Sequence, residues 1–524
     1  MAGGFWVHAT EDPSYLAVVD PDGTEYTAGE LLARSNQLVH GLRSLGLQPG
    51  DAIAEVLPNG VAPVELFLAA TQAGFYLTPI NFHLTGPEIA YIIKDCEAKA
   101  VFVHPRYADV GTAALDELDF PKEARFSYGS GTSGEGGGDI PGFRPVEELL
   151  SGQPTTPPED RRAGLTMHYT SGTTGQPKGV RRTLPDADVD VSAEMNSLFL
   201  MLFGIPPKDG NVHLVTSPNY HTAVTTFGGN ALHAGHTLVF MDKWQPADTL
   251  EKIEQYGVTH THMVPTQFHR MLALPDDARA KYDVSSMKWA IHAAAPCPVD
   301  VKRKMLDWWG PVIYEYYAAT EGGGTLATPE QWLEHPGTVG TAWPISTLRI
   351  VDDDMNDVEA GTPGTVYMKM DTAQFEYKGD KAKTEENRLE GFFTVGDIGY
   401  LTDDGYLFLC DRKSDMIISG GVNIYPAEIE GEILTNPKVA DAAVFGIPDD
   451  DWGEQIKAVI ELAPGNVPSD ALADELLEYL RPRLAKYKWP KTIDFSDALP
   501  REPTGKLLKR KLRDPYWEGR ERAI

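Results

Sequence analysis

Residues 169–180 read YTSGTTGQPKGV, a run dense in glycines and hydroxyl side chains that ends beside a single lysine. Glycine tolerates positive φ angles and close approach of the backbone, while hydroxyl groups and a lysine can donate hydrogen bonds to phosphate oxygens. The run therefore predicts a phosphate-binding loop, with candidate ligands Thr170, Ser171, Gly172, Thr173, Thr174, Gly175 and Lys178. It is not a Walker A loop, because Pro177 precedes the lysine and Gly179 stands where Ser or Thr is required. A mobile surface loop without a ligand is the alternative interpretation.

The chain on both sides of this loop alternates between short β-rich runs and amphipathic stretches. Helices are predicted at 28–45, 62–73 and 246–256, and strands at 52–57, 237–241 and 260–264. Such alternation is typical of α/β layers built on parallel sheets. The stretch 128–138 is rich in glycine and serine and is predicted to be a surface loop.

The residue pattern of the sequence changes after residue 337. Short alternating runs separated by Gly, Pro and Asp occupy 337–409, which predicts an antiparallel sheet or a small barrel. A separate α+β unit follows, with helices predicted at 426–435 and 469–484 and strands at 439–446 and 455–462. The predicted fold class is therefore multidomain α/β: a large N-terminal domain of two α/β layers plus a small β-barrel, residues 1–411, followed by a small α+β C-terminal domain, residues 412–524.

The composition excludes several classes of partner. The 524-residue chain carries a formal charge of −30, which opposes general binding to nucleic acid or to anionic lipid. Its three cysteines are far apart, as expected for reduced thiols rather than a disulfide framework. The N-terminus lacks the pattern of a signal peptide, and the apolar stretch 198–205 is too short to span a bilayer. We expect a cytoplasmic enzyme without integral membrane association.

Four further blocks follow the loop in order: YAATE at 317–321, GFFTVGD at 391–397, a segment that begins with DR at 411–412, and PTGK at 503–506. Together with residues 169–180 they resemble the adenylate-forming superfamily, which includes acyl-CoA synthetases, adenylation domains of nonribosomal peptide synthetases and beetle luciferases. The resemblance covers nearly the whole chain. It implies that the protein uses ATP to activate a carboxylic acid as an acyl-adenylate and transfers the acyl group to coenzyme A, with a mobile C-terminal domain that rotates between the two half-reactions.

The resemblance also implies roles for residues around the nucleotide. Tyr317 is expected to stack on adenine, beside a backbone surface formed by Ala294, Ala295 and Pro296. Asp397 is expected to accept the ribose hydroxyls and Arg412 to reach the ribose or the α-phosphate. Each of these residues has an ordinary structural alternative, such as a turn carboxylate or a strand-to-loop connection. For Asp397 and Arg412, their place within the blocks favours the functional interpretation.

Catalysis is assigned by the same resemblance to Lys506, Thr320, Glu321 and His221. Lys506 matches the lysine that bridges the substrate carboxylate and the α-phosphate, where a cation offsets the charge that builds up between two anions. Thr320 matches a hydroxyl near the α-phosphate, and Glu321, with Thr170, is expected to hold Mg²⁺. A solvated basic tail is the alternative for Lys506, because four more basic residues follow it closely.

The second half-reaction is expected to involve the C-terminal domain. Gly420 and Gly421 match a loop that lines the path of the CoA thiol arm, Trp452 an aromatic that stacks on the CoA adenine, and Lys491 a residue near the CoA phosphates. The hinge position, usually aspartate or lysine in the family, is Ser414 in this chain. That departure puts the energetics of the rotation in doubt, although serine can still absorb a change in backbone conformation.

The acyl site is expected near His221, at the mouth of the acyl pocket. Gly228, Gly229 and the glycines at 322–324 are small enough to leave volume for a medium-chain, long-chain or cyclic hydrophobic acid, unless they serve backbone geometry instead. A metal site at His260 and His262 is a weaker alternative. Transfer of the acyl group to an amine or to a carrier-protein thiol, a binding protein without catalysis, and formation of a homodimer are left open.

Overall fold

The computed structural model describes residues 3–129, 139–170, 177–319, 322–370, 375–377, 387–501 and 507–519. The chain forms two compact units. The first comprises residues 1–263, 274–291 and 372–386, and the second comprises residues 264–273, 292–371 and 387–524.

The α-helices of the described residues are numbered in chain order. They are α1 Phe5–Glu11, α2 Ala28–Ser44, α3 Val61–Ala73, α4 Gly86–Asp95, α5 Ala108–Glu117, α6 Val146–Leu150, α7 Val189–Ser197, α8 Thr222–His233, α9 Pro246–Tyr256, α10 Pro265–Leu272, α11 Asp276–Arg279, α12 Val299–Trp309, α13 Pro329–Glu334, α14 Pro426–Ile433, α15 Asp470–Leu480 and α16 Lys509–Arg513.

The strands follow the same convention. They are β1 Leu16–Val19, β2 Glu25–Thr27, β3 Ala52–Val56, β4 Tyr76–Pro79, β5 Ala98–Val103, β6 Arg125–Ser127, β7 Arg144–Pro145, β8 Leu165–Thr166, β9 His168–Thr170, β10 Lys178–Arg182, β11 Val212–Val215, β12 Thr237–Phe240, β13 His260–Met263, β14 Trp289–His292, β15 Ile313–Ala318, β16 Gly324–Ala327, β17 Thr341–Ala342, β18 Ser346–Val351, β19 Gly364–Met370, β20 Phe375–Tyr377, β21 Arg388–Leu389, β22 Phe392–Phe393, β23 Asp397–Leu401, β24 Leu407–Arg412, β25 Ile417–Ser419, β26 Val422–Ile424, β27 Val439–Asp449, β28 Gly453–Leu462 and β29 Thr492–Ser496.

A parallel sheet in the order β7-β6-β5-β3-β4-β8 forms the first layer of the first unit. Successive residues of a strand point to opposite faces of a sheet, so Ile53 joins one apolar core with Leu66 of α3, and Ala54 joins another with Ile89 of α4. Because both faces are buried, the strands read as continuous apolar runs. The α/β layer predicted from the sequence is confirmed.

The second layer of the first unit is a mostly parallel sheet in the order β14-β13-β11-β12-β1-β2, in which only β2 is seen to run antiparallel to its neighbour. Helix α8 connects β11 to β12, and α9 connects β12 to β13, as expected for crossover connections between parallel strands. A small antiparallel sheet, β20-β10-β9, completes the unit and carries the ends of the glycine-rich loop.

The second unit is dominated by antiparallel sheets. Strands β18, β19 and β21–β24 form the sheet predicted for residues 337–409. A further sheet, β26-β25-β28-β27 with β29 added parallel to β28, packs against α14 and α15 around a core of its own. The helix predicted at 469–484 ends earlier, at Leu480, because Pro482 has no backbone N–H with which to continue the helical hydrogen bonds.

The structure also bears on the expectations about membrane-spanning segments and cysteines. Within the described residues, no helix combines the length and the apolar character needed to cross a membrane. The three cysteines, Cys96, Cys297 and Cys410, are all free.

Candidate functional site

The ends of the glycine-rich loop are held in a β-hairpin of the first unit. Strands β9 and β10 pair with Thr170 opposite Lys178 and Tyr169 opposite Gly179. A Cβ atom at Gly179 would lie 2.9 Å from the Tyr169 ring, so glycine is needed there to let the two strands close. The Tyr169 hydroxyl donates to Asp95 Oδ2 at 2.6 Å and fixes the hairpin to the C-terminal end of α4. Ser171, Gly172, Thr173, Thr174 and Gly175 lie outside the described residues, and their phosphate role stays a prediction.

Three predicted nucleotide ligands meet in the second unit. The Tyr317 hydroxyl donates to Asp397 Oδ2 at 2.6 Å, and Arg412 Nε lies 3.4 Å from Asp397 Oδ1. Asp397 and Arg412 are also direct partners in the β23–β24 ladder. An ionised carboxylate accepts about four hydrogen bonds, so Asp397 retains acceptor capacity for ribose hydroxyls after these two contacts. Residues that are distant in sequence thus form one polar cluster.

The predicted adenine-binding surface follows β14. Ala294 is exposed and has a φ of +74°, in the left-handed region that residues other than glycine rarely adopt. Such backbone strain concentrates at ligand-binding sites, where the surrounding structure holds it. Ala295 and Pro296 continue the same loop towards α12. The strained turn supports the assignment of this segment to ligand binding.

A buried ionic cluster that sequence reasoning missed lies beside the two nucleotide segments. Lys302 Nζ donates to Glu315 Oε2 at 2.7 Å, and His292 Nε2 lies 3.4 Å from the same oxygen. Burial raises the pKa of Glu315, and the charge of Lys302 opposes that rise. His292 stands two residues before Ala294, and Glu315 stands two residues before Tyr317. The cluster therefore links the strands that lead into the two predicted nucleotide-binding segments. The cluster could not be predicted from the sequence, because Lys302 begins a basic triplet of the kind usually found on a protein surface.

The residues with the largest predicted catalytic roles, Thr320, Glu321 and Lys506, lie outside the described residues. Their flanks are described. The backbone N–H of Gly322 donates to Ala319 O at 3.1 Å. On either side of 502–506, Leu508 N–H donates to Pro500 O at 2.8 Å, and Arg501 and Leu507 form an isolated β-bridge. The roles of these three residues remain predictions.

The basic C-terminal segment is only partly solvated, which corrects the alternative interpretation of the whole segment as a basic tail. Lys509 Nζ lies 2.9 Å from Glu430 Oε1, in a buried position that also feels the charge of Asp411. Arg513 is buried and donates from Nη1 to Ser414 O at 3.1 Å. The predicted hinge residue is therefore held through its carbonyl group by the segment that follows Lys506.

The four residues predicted to bind CoA come together in the second unit. Gly420 and Gly421, with φ angles of +58° and +78°, form the two-residue turn between β25 and β26. A Cβ atom at Gly420 would lie 2.4 Å from the Trp452 ring, which is 56% exposed. Asp449 accepts from Lys491 Nζ and from Trp452 N, each at 3.0 Å. The aromatic surface and the cation thus share one anchor, and the turn packs against the aromatic ring.

His221 caps the N-terminus of α8 in the first unit. Along this helix the two glycines differ: a Cβ atom at buried Gly228 would meet no atom within 4 Å, whereas at Gly229 it would lie 2.6 Å from Phe67 Cζ. The expectation that Gly229 leaves volume is therefore wrong, since this glycine permits close helix packing. Gly324 is also packed, 2.6 Å from Tyr317 O for an added Cβ atom. Gly228 alone of these three opens space.

His260, the first member of the HxH pair, belongs to a row of buried histidines, whereas His262 stacks on Phe227. His236 Nε2 donates to Pro206 O at 3.0 Å, which leaves its Nδ1 to accept from His260 Nε2 at 3.0 Å. His260 Nδ1 then accepts from His213 Nδ1, also at 3.0 Å. This proton order is the one compatible with neutral rings, and burial lowers the pKa of His213 to about 3 and that of His236 to about 4. Within the described residues, no group of three or more potential ligands is arranged to hold a metal ion.

Comparison with known sequences identifies the family. The sequence profile described as "AMP-binding enzyme" matches residues 5–374, and that of the "AMP-binding enzyme C-terminal domain" matches residues 428–506. Long-chain-fatty-acid–CoA ligase FadD13 of Mycobacterium tuberculosis is 33% identical over 513 residues, covering 97% of each chain. Feruloyl-CoA synthase of an Amycolatopsis species is 32% identical, covering 97% of this chain and 98% of that protein. Fatty acid–[acyl-carrier-protein] ligase ScoC of Streptomyces coeruleorubidus is 29% identical, covering 99% and 96%.

Comparison with a solved structure agrees with the sequence relatives. ATP-bound MatB from Rhodopseudomonas palustris has a TM-score of 0.82 at 28% identity, covering 98% of this chain and 99% of that chain. The match extends over both profile regions. The chain therefore belongs to the AMP-binding enzyme family, the adenylate-forming superfamily that includes acyl-CoA and aryl-CoA ligases.

Proposed function

We propose that the protein is an AMP-forming acyl-CoA synthetase, an acid-thiol ligase. It activates a hydrophobic carboxylic acid, medium-chain, long-chain or cyclic, with ATP and transfers the acyl group from the adenylate to coenzyme A, releasing AMP and pyrophosphate. The observation that carries the proposal is the cluster in which Tyr317 and Arg412 converge on Asp397. It supplies an aromatic surface, a carboxylate acceptor and a cation, the groups that adenine, ribose and phosphate require.

In the adenylation step, the chain binds ATP and orients its α-phosphate. The loop from Thr170 to Lys178 binds phosphate oxygens, and Asp397 accepts the ribose hydroxyls. Lys506 offsets the negative charge as the substrate carboxylate oxygen attacks the α-phosphorus and pyrophosphate leaves. A carboxylate is already ionised at neutral pH, so the step needs no base, and His221 serves to line the acyl site.

Mg²⁺ would be held by Glu321 and Thr170. A carboxylate and a hydroxyl are hard oxygen donors, and Mg²⁺ prefers few such ligands with phosphate oxygens and waters completing its shell. When bound, the ion neutralises phosphate charge.

The second step would follow rotation of the C-terminal domain, residues 412–524, about Ser414. Two observations support a boundary at 411/412: the strands β25–β29 pair among themselves, and the boundary falls between the two profile matches. The turn at Gly420 and Gly421 would admit the thiol arm of CoA on the side of Gly421, where an added Cβ atom would meet no atom within 4 Å.

A carrier-protein thiol is the second candidate acceptor, since a 29% identical relative is named as an acyl-carrier-protein ligase. CoA is favoured because Trp452 and Lys491 provide a stacking surface and a cation on the same Asp449 anchor. The three free cysteines support placement of the enzyme in the cytoplasm.

Pyrophosphate release against a panel of carboxylic acids, from acetic to long-chain and aryl acids, tests the proposal when it is measured with and without CoA. Release that depends on the acid and ends in an acyl-CoA is the expected result. Acid-dependent release without a thioester would favour the carrier protein or an amine as acceptor, and no release with any acid would contradict the activity.

Replacement of Trp452 by alanine should raise KM for CoA about tenfold, because stacking of an aromatic side chain on a base is worth roughly 1–3 kcal/mol. Pyrophosphate release in the absence of CoA should be unchanged. Tyr487→Ala is the matched control, since Tyr487 is 54% exposed in the same domain. An equal rise in KM for CoA in both variants would contradict the role of Trp452.

A further inference from the structure

His168 is a buried histidine one residue before the glycine-rich motif, and nothing in the mechanism above uses it. It begins β9, and its side chain lies beside the backbone of Tyr220. Only 5% of the residue is exposed. Burial, with a smaller contribution from the charge of Arg182, lowers the pKa of His168 to about 4, so the ring is neutral at physiological pH.

The hydrogen bond at one ring nitrogen determines what the other nitrogen can do. His168 Nδ1 lies 3.3 Å from Tyr220 O, and a carbonyl oxygen can only accept. Nδ1 therefore carries the proton of the neutral ring, and Nε2 presents a lone pair. Among the described residues, no group donates to Nε2, which is buried. A buried acceptor without a donor is costly, and such an atom in a native structure calls for a ligand or an ordered water.

The surroundings of His168 are those of the acyl site. The ring of Tyr220 lies tilted against that of His221, with centroids 4.2 Å apart, and the carbonyl group that His168 contacts belongs to the same Tyr220. His221 Nε2 is likewise buried and, within the described part of the chain, receives no hydrogen bond. Two neutral imidazoles with unused nitrogen atoms thus lie near the N-terminal end of α8, where the acyl site is proposed.

The space beyond the two histidines is apolar and partly empty. Gly228 lies seven residues after His221, on the same face of α8, and is the buried position where an added Cβ atom would meet nothing within 4 Å. Phe227 next to it stacks on His262 at 5.0 Å and packs against Phe203 at 5.4 Å. An apolar body would fit along this face while a polar group reaches the imidazoles.

We infer that His168 is a specificity-determining residue of the acyl site, and that the carboxylic acid substrate carries a hydroxyl or N–H group that donates to His168 Nε2. This inference rests on the proposed adenylation activity and narrows its substrate class from hydrophobic acids in general to acids with an apolar body and a hydrogen-bond donor. A site that hydrogen-bonds such a group rejects the analogue without it, because the buried acceptor is then left unpaired.

Matched pairs of acids test the inference in the pyrophosphate-release assay without CoA. Each pair differs in the donor alone or nearly so: 4-hydroxycinnamic with cinnamic acid, indole-3-acetic with naphthalene-1-acetic acid, and 8-hydroxyoctanoic with octanoic acid. The wild-type enzyme should prefer the donor-bearing member of at least one pair by about tenfold or more in kcat/KM. His168→Leu should abolish that preference, mainly through KM for the donor-bearing acid, and His168→Gln, whose amide oxygen can accept in place of Nε2, should restore part of it.

His104→Leu is the matched control, because His104 is equally buried but its Nδ1 already accepts from Arg106 N–H at 3.1 Å. This variant should affect both members of a pair alike. Equal kcat/KM for the two acids of every pair would overturn the proposed subsite, and so would a preference for the donor-bearing acid that persists in His168→Leu. Either result would leave the adenylation activity in place. Absence of pyrophosphate release with every acid would overturn both.

Discussion

An enzyme in which Lys506 is replaced by alanine should release pyrophosphate at least about 100-fold more slowly than the wild type, because one preorganised donor to a developing charge is commonly worth two to three orders of magnitude in rate. The same variant should convert a supplied acyl-adenylate to the thioester at a rate within about twofold of the wild type. The reason is that the lysine acts only while the carboxylate attacks the phosphorus.

Lys511→Ala provides the control, since Lys511 is an exposed member of the same basic segment. Both half-reactions should be unaffected in that variant. A Lys506→Ala enzyme that adenylates at the wild-type rate would remove the catalytic assignment, and one that loses both half-reactions would indicate a structural role for the lysine.

The second large effect concerns acid. Seven buried histidines of the first unit and the half-buried His221 are neutral, because burial lowers the pKa of each. The pKa falls to about 3 for His213, His221 and His233, to about 4 for His104, His168, His236 and His262, and well below 6.5 for His260. Once the pH falls below 6.5, these histidines become protonated in the unfolded chain while they stay neutral in the native state. The free energy of unfolding should then fall by about 1.4 kcal/mol per pH unit for each such histidine.

A native protein is stable by only about 5–15 kcal/mol, so half of these histidines would remove a large part of the free energy of unfolding by pH 5. Urea unfolding at a series of pH values between 7.5 and 5 measures the slope. Glu55 makes the free energy of unfolding rise as the pH falls. Burial raises its pKa to about 8, so over this range its carboxyl group is protonated only in the native state.

Glu55→Gln should therefore steepen the dependence on pH by about 1.4 kcal/mol per unit, and His104→Gln should flatten it by the same amount. A free energy of unfolding that stays constant between pH 7.5 and 5 would show that the buried histidines titrate normally and would contradict the prediction.

The sequence alone predicted the elements with strong periodicity and left their contacts open. Helix α2 and strand β3 lie within one residue of the positions expected from the apolar pattern, because their periodicity is regular and a capping box at Thr27 marks the helix start. The convergence of Tyr317 and Arg412 on Asp397 followed from resemblance, since no local pattern brings such distant residues together.

Features that depend on burial could not be predicted from the sequence. Lys302 lies in a basic triplet and Lys509 in a basic tail, yet both are buried against carboxylates, which only the tertiary fold decides. His168 gave no signal either, because a histidine beside a motif reads the same whether its ring is solvated or enclosed. The two glycines of α8 looked equivalent in sequence and differ only in what faces them.

The segment that follows Lys506 is held to the hinge residue through Arg513, which donates to the carbonyl group of Ser414, and to helix α14 through Lys509, which pairs with Glu430. In the proposed cycle, Lys506 would then move together with the rest of the C-terminal domain. Withdrawal of the lysine and arrival of the turn at Gly420 and Gly421 would be coupled, and a single rate constant would govern both.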